Sequence, residues 1–543
     1  MIAYRAPGAY IERATPRGQT FELLRSDVAG FVGVAARGPL HTAVRVAGDK
    51  EFAAQFGRPI PQAFLAPAVH SFFENGGRLC YVVRVANPDD AAPATLRVYD
   101  GDRPLFTLQA TSEGVWGRAV RVMARRVAPG SAAHFFIHLL DGSRTVESRR
   151  NVPLTDDLAA VNAALNSTRL TAVAPDFSGA AQLRLPPDAH LVYENLGGGA
   201  DGLARLQPRH FTGDGAPAGQ TWGLNVLELV DEISILSVPD AVLLPRDTPR
   251  RRTPRPPDCC AGPDELAPGD PIDTDADREF PPMLSEEETL VIHQALIGQC
   301  EQLGDRVAVL DPYRADMNAE EIMAWRRQAP YVSSYAALYY PWLRMLTWNG
   351  DLRDVPPGGS VAGIYARVAV HEAPANQIVE YVQDVTVAVD DVTHGLLNEK
   401  RVNVIRAAPG RGIRLMGART LSDDTLWRFV NVRRLFIFIR ESIEVNTQWI
   451  LFEPNDTGLW NDIGRVIRSF LGELWRRGML DGGTREAAYV VKCDAEVNPP
   501  AERDAGRVIC LVGIQPPFPA EFVTVRIGRT TSGVEFVEEK FNG

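Results

Sequence analysis

NVIRAAPGRGIRLMGARTL (Asn403–Leu421), NVRRLFIFIRESIEVNTQWILFEPND (Asn431–Asp456), GRVIRSFLGELWRRGML (Gly464–Leu480) and PAEFVTVRIG (Pro519–Gly528) are the stretches on which the reading of this chain turns. The apolar run Leu435–Ile439 predicts a central strand, and Val445, Trp449 and Phe452 recur at helical spacing. Tyr489–Val491, Val508–Ile514 and Phe522–Ile527 predict further strands. On a helical wheel at about 100° per residue, Leu459–Gly478 gathers Trp460, Ile463, Ile467, Phe470, Leu471 and Leu474 on one side. Arg465, Arg468 and Arg476 fall on the opposite side. Composition alone reads that basic face as solvated, with Arg476 and Arg477 complementing the helix dipole.

Upstream, the order of elements has the same α/β texture. Val28–Ala35 predicts a small apolar strand and Lys50–Phe56 a short helix. Phe64–Asn75 predicts a helix closed by Gly76 and Gly77, followed by the strand Cys80–Val85. Leu224–Val230 reads as helix and ISILSV, ending at Val238, as strand. Ser285 with Glu288 forms a capping box for a helix reaching about Gln302. Then come the strand RVAVL (Arg306–Leu310), a helix at Ala319–Gln328, the strand SYAALYYP (Ser334–Pro341) and a helix from about Ser360 to Val370. Alternating β and α elements with β-rich apolar runs imply a mostly parallel sheet covered by helices.

Between residues 89 and 204 the texture changes. Leu105–Ala110, Val120–Ala124 and Phe135–Leu140 alternate between Gly, Pro and Asp turns, interrupted by one helix at Leu158–Leu165, so a β-rich inserted domain is expected. Ten prolines between Pro245 and Met283 mark a stretch unable to bury enough apolar surface to offset its conformational entropy, so a disordered loop at about 245–283 is expected. Both ends read as arms. In residues 1–20 one β-prone stretch, Ala9–Glu12, sits between Pro/Gly pairs. In residues 529–543 the short strand Val534–Glu538 alternates apolar and acidic side chains, as an edge-pairing strand does.

Charge and motifs narrow the function. The 543-residue chain is long enough for several domains, and its net charge of −11 argues against a general nucleic-acid binder. Only Lys50, Lys400, Lys492 and Lys540 are lysines. Arginine thus supplies nearly all the cationic side chains, as rigid bidentate donors suited to subunit contacts. Six cysteines without CxxC spacing fit reduced thiols. No apolar run is long enough to span a bilayer, and the N-terminus lacks a signal-peptide pattern, so cytoplasmic synthesis without membrane insertion is expected. Gly197–Gly202 satisfies GxGxxG formally, but the stretch from Leu203 to Pro208 is too short for the dinucleotide helix, so a structural turn is expected. Gly410–Gly412 lacks the Lys–Ser/Thr of a phosphate loop. GGSVAG around Ser360 misses the nucleophile elbow, and Ala375 stands where a zincin carries its second histidine. The expectation is no catalytic site, no metal and no cofactor.

The C-terminal stretches quoted first resemble the C-terminal domain of contractile tail sheath proteins, the family found in phage tails, R-type pyocins and extracellular contractile injection systems. FVGVAARGP (Phe31–Pro39), EFAAQFG (Glu51–Gly57), FFENGGRLCYVVRV (Phe72–Val85), DRVAVLDPY (Asp305–Tyr313), SSYAALYYPWL (Ser333–Leu343) and VAGIYARVAVHEAPAN (Val361–Asn376) resemble the sheath body. Glu372 departs from the family's usual lysine. The resemblance covers most of residues 1–90 and 205–543.

It implies an α/β multidomain protein with five parts: an N-terminal arm (1–20), an α/β middle domain (21–88 plus 205–385), the β-rich insertion (89–204), an α/β C-terminal domain (386–528) and a C-terminal arm (529–543). It further implies hexameric rings stacked helically around an inner tube, with baseplate and terminator or cap proteins as further partners, in a particle that is assembled in a bacterial cytoplasm and can be released. Contraction would drive the tube through a target envelope. The resemblance implies two sets of site residues. Arg465, Arg468 and Arg476 would face the tube, while Tyr10, Ile11, Glu12, Val534, Glu535, Phe536, Val537 and Glu538 would form strands exchanged between subunits. A sheath-like paralogue at the baseplate or cap end is the alternative; a fibre or adhesin would explain the insertion but not Asn403–Gly528.

Overall fold

Short runs of buried aliphatic and aromatic residues build the central sheet. We number its strands β1 (Val28–Gly33), β2 (Val44–Val46), β3 (Leu79–Arg84), β4 (Ile235–Ser237), β5 (Val307–Leu310), β6 (Ala336–Tyr340), β7 (Gln377–Ile378), β8 (Val402–Ala408) and β9 (Gly412–Leu415). Their order is β7-β9-β8-β6-β5-β4-β1-β3-β2. The six inner strands from β8 to β3 are parallel, and β2, β9 and β7 join antiparallel at the two sides. Every residue of β1, β5 and β6 is buried, as expected when helices cover both faces of a parallel sheet. The computed structural model describes residues 21–538 apart from 22, 127–133, 142–143, 154, 176–180, 186–189, 244–277, 330, 347–351, 452, 520, 522–524 and 531–532. The N-terminal arm and nearly all of the Pro-rich stretch therefore lie outside the described residues.

The helices start where their caps are. Ser285 Oγ accepts the Glu288 amide at 3.2 Å and Glu288 Oε2 accepts the Ser285 amide at 2.8 Å, which is the capping box that opens the helix Glu286–Leu303. Asn318 and Glu321 make the same reciprocal pair at the head of Ala319–Gln328. The helix Gly358–Arg367 lies against Leu65–Glu74 at unusually short range. A Cβ on Gly359 would sit 2.3 Å from the Ala68 carbonyl oxygen, and one on Gly363 would sit 2.5 Å from that of Phe72. The GGSVAG motif is thus a packing device. It lets two helix backbones approach, with Ser71 and Ser360 hydroxyls bonded across the contact at 2.6 Å.

The insertion has its own core. Ala92–Asp100, Arg103–Ala110, Leu170–Val173, Gln182–Leu185 and Gly197–Ala200 make one sheet, and Val120–Arg126, His134–Asp141, Arg144–Pro153 and Val192–Asn195 make another. Leu96, Val98, Phe106, Leu108, Val122 and Leu165 are buried between them. It rejoins the body through the GGGADG segment. Gly198, Gly199 and Gly202 have φ of 71°, 80° and 68°, a region glycine enters without strain. Asp201 Oδ1 accepts the Val115 amide at 3.0 Å and Asn87 donates to the Gly202 carbonyl at 2.8 Å. Where a turn was expected, Gly197–Ala200 is a short strand paired antiparallel with Ala92–Asp100, and no dinucleotide-type helix follows it.

Two differences from the sequence reading concern the C-terminal third. Leu435–Ile439 is not a strand. It is the middle of the helix Val430–Asn446, whose Val430, Val432, Leu435, Ile437, Phe438 and Ile439 are all buried. That helix ends at Asn446, so Val445 and Trp449, expected on one helical face, fall on different elements, Trp449 in a short 3-10 turn at Gln448–Ile450; Phe452 lies outside the described residues. Further, β8 and β9 belong to the central sheet, and the second compact unit comprises Leu435–Pro517 with Phe21 and the described residues up to Arg25. Within it, Phe21 stacks on Phe470 at 4.2 Å between ring centroids. The chain from Phe518 onward belongs to the first unit again, where Phe518 meets Phe429 edge-on at 6.4 Å and Glu521 pairs with Arg419, Nε donating at 2.7 Å.

Candidate functional site

The helix Thr457–Arg476 is opened by Asp456, whose side chain accepts the Leu459 amide at 2.9 Å. Trp460, Ile463, Ile467, Phe470, Leu471 and Leu474 are buried, as the wheel predicts. Arg465 and Arg476 are exposed, and each is matched on its own helix: Arg465 bonds Asp462 at 2.9 Å, and Arg476 bonds Glu473 at 2.6 Å. Arg477 shares Glu473 at 3.0 Å, and these arginines hold the Glu473 carboxyl below its ordinary range. Arg468 folds back over Gly464 and donates to the Val491 carbonyl at 3.4 Å. The three predicted arginines therefore share one helix face, in a mixed-charge array that sequence spacing alone did not weigh. Spacings of three and four residues on a helix produce such pairs.

Beside that helix, Tyr489–Lys492 pairs antiparallel with Leu511–Ile514 in a two-stranded sheet. Three of its apolar side chains face solvent: Val490 is 62%, Leu511 53% and Val512 37% exposed. Two short strands leave unpaired backbone groups along their outer edges, and isolated hairpins are marginal on their own. This exposed strand pair was not singled out from sequence, although the alternating apolar positions were a usable signal.

The predicted C-terminal strand forms as Gly533–Glu538. It pairs antiparallel with Val525–Thr530, Val534 opposite Arg529 and Glu538 opposite Val525. The strand residues Val534, Glu535, Phe536, Val537 and Glu538 thus lie in a two-stranded ribbon. Tyr10, Ile11 and Glu12 lie outside the described residues. Among the described residues one group of possible metal ligands occurs, Asp49, His70 and Glu74, with ligand atoms within 4.8 Å of one another. There His70 Nδ1 is already bonded to Asp49 at 2.7 Å, and that bond raises the imidazole above its usual range. Cys80 and Cys300 are buried thiols pushed far up by desolvation, which makes them unreactive. No helix among the described residues is long and apolar enough to cross a membrane.

A parallel-sheet body, a β insertion with its own core, a small C-terminal unit and a terminal ribbon define a mixed α/β multidomain protein. Residues 283–421 match the phage tail sheath protein central domain and residues 422–529 the phage tail sheath C-terminal domain. The tail sheath protein of Salmonella phage ViI is 24% identical over 278 residues, 48% of this chain and 43% of that relative. The chain thus spans less than half the length of that curated relative. Solved structures share the fold over nearly the whole chain. The helical sheath of the anti-feeding prophage in its contracted state matches with 20% identity, a TM-score of 0.54, and coverage of 97% of this chain and 100% of that one. A chain in the six-fold-symmetrised baseplate of the same prophage matches with 20% identity and a TM-score of 0.53, over 97% and 100% of the two chains. A sheath tail protein from Desulfitobacterium hafniense matches at 11% identity and a TM-score of 0.57, covering 90% and 94%. Residues 283–529 thus match the two tail sheath domains in chain order, and the chain shares its fold with solved sheath subunits.

Proposed function

We propose that the chain is the sheath subunit of a contractile injection apparatus: it polymerises helically around an inner tube and contracts to drive that tube through a target envelope. The observation that carries the proposal is the fold shared along 97% of the chain with a helical sheath in its contracted state. Each surface then has a task. The ribbon Val525–Glu538 and the N-terminal segment Tyr10–Glu12 act as strand donors to neighbouring subunits. The exposed edges of Tyr489–Lys492 and Leu511–Ile514 receive them, since an added strand would satisfy edge backbone groups and cover Val490 and Leu511. Each link is weak, at about 0.5–1.5 kcal/mol net per hydrogen bond set against the ordering of an arm, so the lattice holds through many links per subunit. A heterologous, non-closing contact of this kind yields a helical array. Work is stored in packing and released on switching to a better-packed state, so neither catalysis nor a cofactor is required. Hexameric rings, a tube with an acidic wall, a baseplate and a cap complete the machine, which is assembled in the cytoplasm and released.

Negative-stain microscopy of the purified full-length protein tests the proposal. Long hollow cylinders are expected; a monodisperse monomer at high concentration would sink it. The likeness to a chain of the baseplate assembly favours one second reading, a sheath-type subunit confined to the baseplate end. That reading predicts single rings rather than cylinders in the same images.

A further inference from the structure

In the strand pair Tyr489–Lys492 and Leu511–Ile514, Tyr489 faces Ile514 and Lys492 faces Leu511. One step further along the same register sets Cys493 opposite Cys510. Both are free thiols, and each is near enough to perturb the titration of the other. Directly opposed residues of an antiparallel pair have Cα atoms about 4.5–5.5 Å apart, within the roughly 4.4–6.8 Å that a disulfide spans. The backbone is held on the far side as well. Asn498 Nδ2 donates to the Ile509 carbonyl at 2.8 Å, and the Ile509 amide donates to Asn498 Oδ1 at 2.6 Å. The ladder on one side and this bracket on the other hold the backbone at both flanks of the cysteine pair.

We propose that Cys493 and Cys510 are a disulfide-forming pair, open when the chain is made and closed by low-molecular-weight disulfides such as oxidised glutathione. The thiolate of one cysteine attacks the glutathione disulfide, forming a mixed disulfide and releasing one glutathione thiolate. The second cysteine's thiolate then attacks the protein-side sulfur, and the second glutathione leaves. Both cysteine protons end on the departing glutathiones or on solvent, and the oxidant takes up two electrons. Cys510 is the more accessible partner, whereas Cys493 is buried. Burial pushes the Cys510 thiol up to about 12, so the thiolate is scarce at neutral pH and closure is slow, speeding up by about tenfold per pH unit. The bond would close the loop 494–509 and pin the end of the strand pair. That this stiffens a receptor edge rests on the assembly reading above; the chemistry does not.

The test uses the full-length protein, incubated with oxidised glutathione at pH 8, alkylated and digested with trypsin without reduction. Cleavage after Lys492, Arg503 and Arg507 separates the two cysteines into different peptides. The expected product is one cross-linked species containing Cys493 and Cys510, split by dithiothreitol, with closure about ten times faster at pH 9 than at pH 8. In Cys493→Ser, Cys510 should instead retain one glutathione. Closure should raise the thermal midpoint of the wild type and leave that of Cys493→Ser unchanged. Recovery of both cysteines as alkylated peptides, after an incubation long enough to oxidise the urea-unfolded chain, would overturn the proposal. A bond from either one to Cys259 or Cys260 would do the same. The peptide readout is independent of polymer formation, so it can fail while the sheath reading stands, and the converse.

Discussion

Asp311 Oδ1 accepts the backbone amide of Gly358 at 2.7 Å, so a fully buried carboxylate caps the first turn of the helix Gly358–Arg367. Desolvation outweighs that hydrogen bond and raises the Asp311 carboxyl to about 7. Asp240, buried while accepting the Val34 amide at 2.7 Å, is raised to about 6 for the same reason. The native state therefore keeps protons on these groups that the unfolded chain has released above its ordinary carboxylate range. Their contribution to stability is present at acid pH and is lost as pH rises through about 6 to 7. Buried His293 and half-buried His41, lowered to about 3 and about 4 by desolvation, act oppositely as pH falls below their ordinary value. Comparison with a single variant isolates one group. In Asp311→Asn, the loss of stability from pH 5.5 to pH 8 should shrink by about 2 kcal/mol relative to wild type, read from urea midpoints at both pH values. Equal pH profiles would show that Asp311 is ionised throughout.

Gly359 should tolerate nothing larger. A methyl group there meets the Ala68 backbone oxygen at 2.3 Å, and backbone on a packed helix moves only at a cost. Gly359→Ala should lose roughly 1–3 kcal/mol by overpacking, seen as a lower denaturant midpoint. Gly298, on the helix Glu286–Leu303, has open space where a Cβ would stand. Gly298→Ala should gain up to about 1 kcal/mol from helix propensity. Equal effects at the two sites would remove the close-approach account of GGSVAG.

Local chemistry was legible in the sequence and long-range pairing was not. The Ser285 cap, the helix Leu158–Leu165 and the apolar face of Thr457–Arg476 each follow from a few neighbouring residues, and all three are in the structure. Leu435–Ile439 misled because a five-residue apolar run carries no period. The helix it belongs to is buried around most of its circumference, Arg434 included, whose guanidinium donates to the Tyr365 carbonyl at 2.6 Å. Nothing local to Val402–Ala408 announces that it lies parallel to Ala336–Tyr340, so the large sheet's reach past residue 386 was hidden. The basic face was visible, but its partners Asp462 and Glu473 were not weighed with it.

Loss of the C-terminal segment tests the donor role. Deleting Thr531–Gly543 removes Gly533–Glu538 and leaves Val525–Thr530 without its partner strand. The truncated chain should stay soluble and unfold cooperatively, with a midpoint close to wild type, yet form no cylinders by negative stain. Normal polymers would make the ribbon a dispensable end. A large drop in the midpoint would make it part of the subunit's own stability.

The arginine face of Thr457–Arg476 tests the tube contact. Reversal of Arg465, Arg468 and Arg476 to Glu replaces the pairs with Asp462 and Glu473 by like charges three residues apart, which costs a few tenths of a kcal/mol each. The Arg468 bond to the Val491 carbonyl is lost as well. The apolar face is untouched, so the fold should survive with a modest loss of stability. Each exposed ion pair with a tube is worth only about 0–1 kcal/mol, but it recurs in every subunit along the particle. Extended, tube-filled particles should therefore become scarce in the triple variant, while tube-free cylinders still form. Raised salt should weaken wild-type co-assembly in the same direction, because exposed charges are screened over roughly 8 Å at physiological ionic strength. Particles counted by electron microscopy after co-expression with the cognate tube protein decide it. Undiminished extended particles in the variant would return this face to solvent, its arginines serving only their own helix.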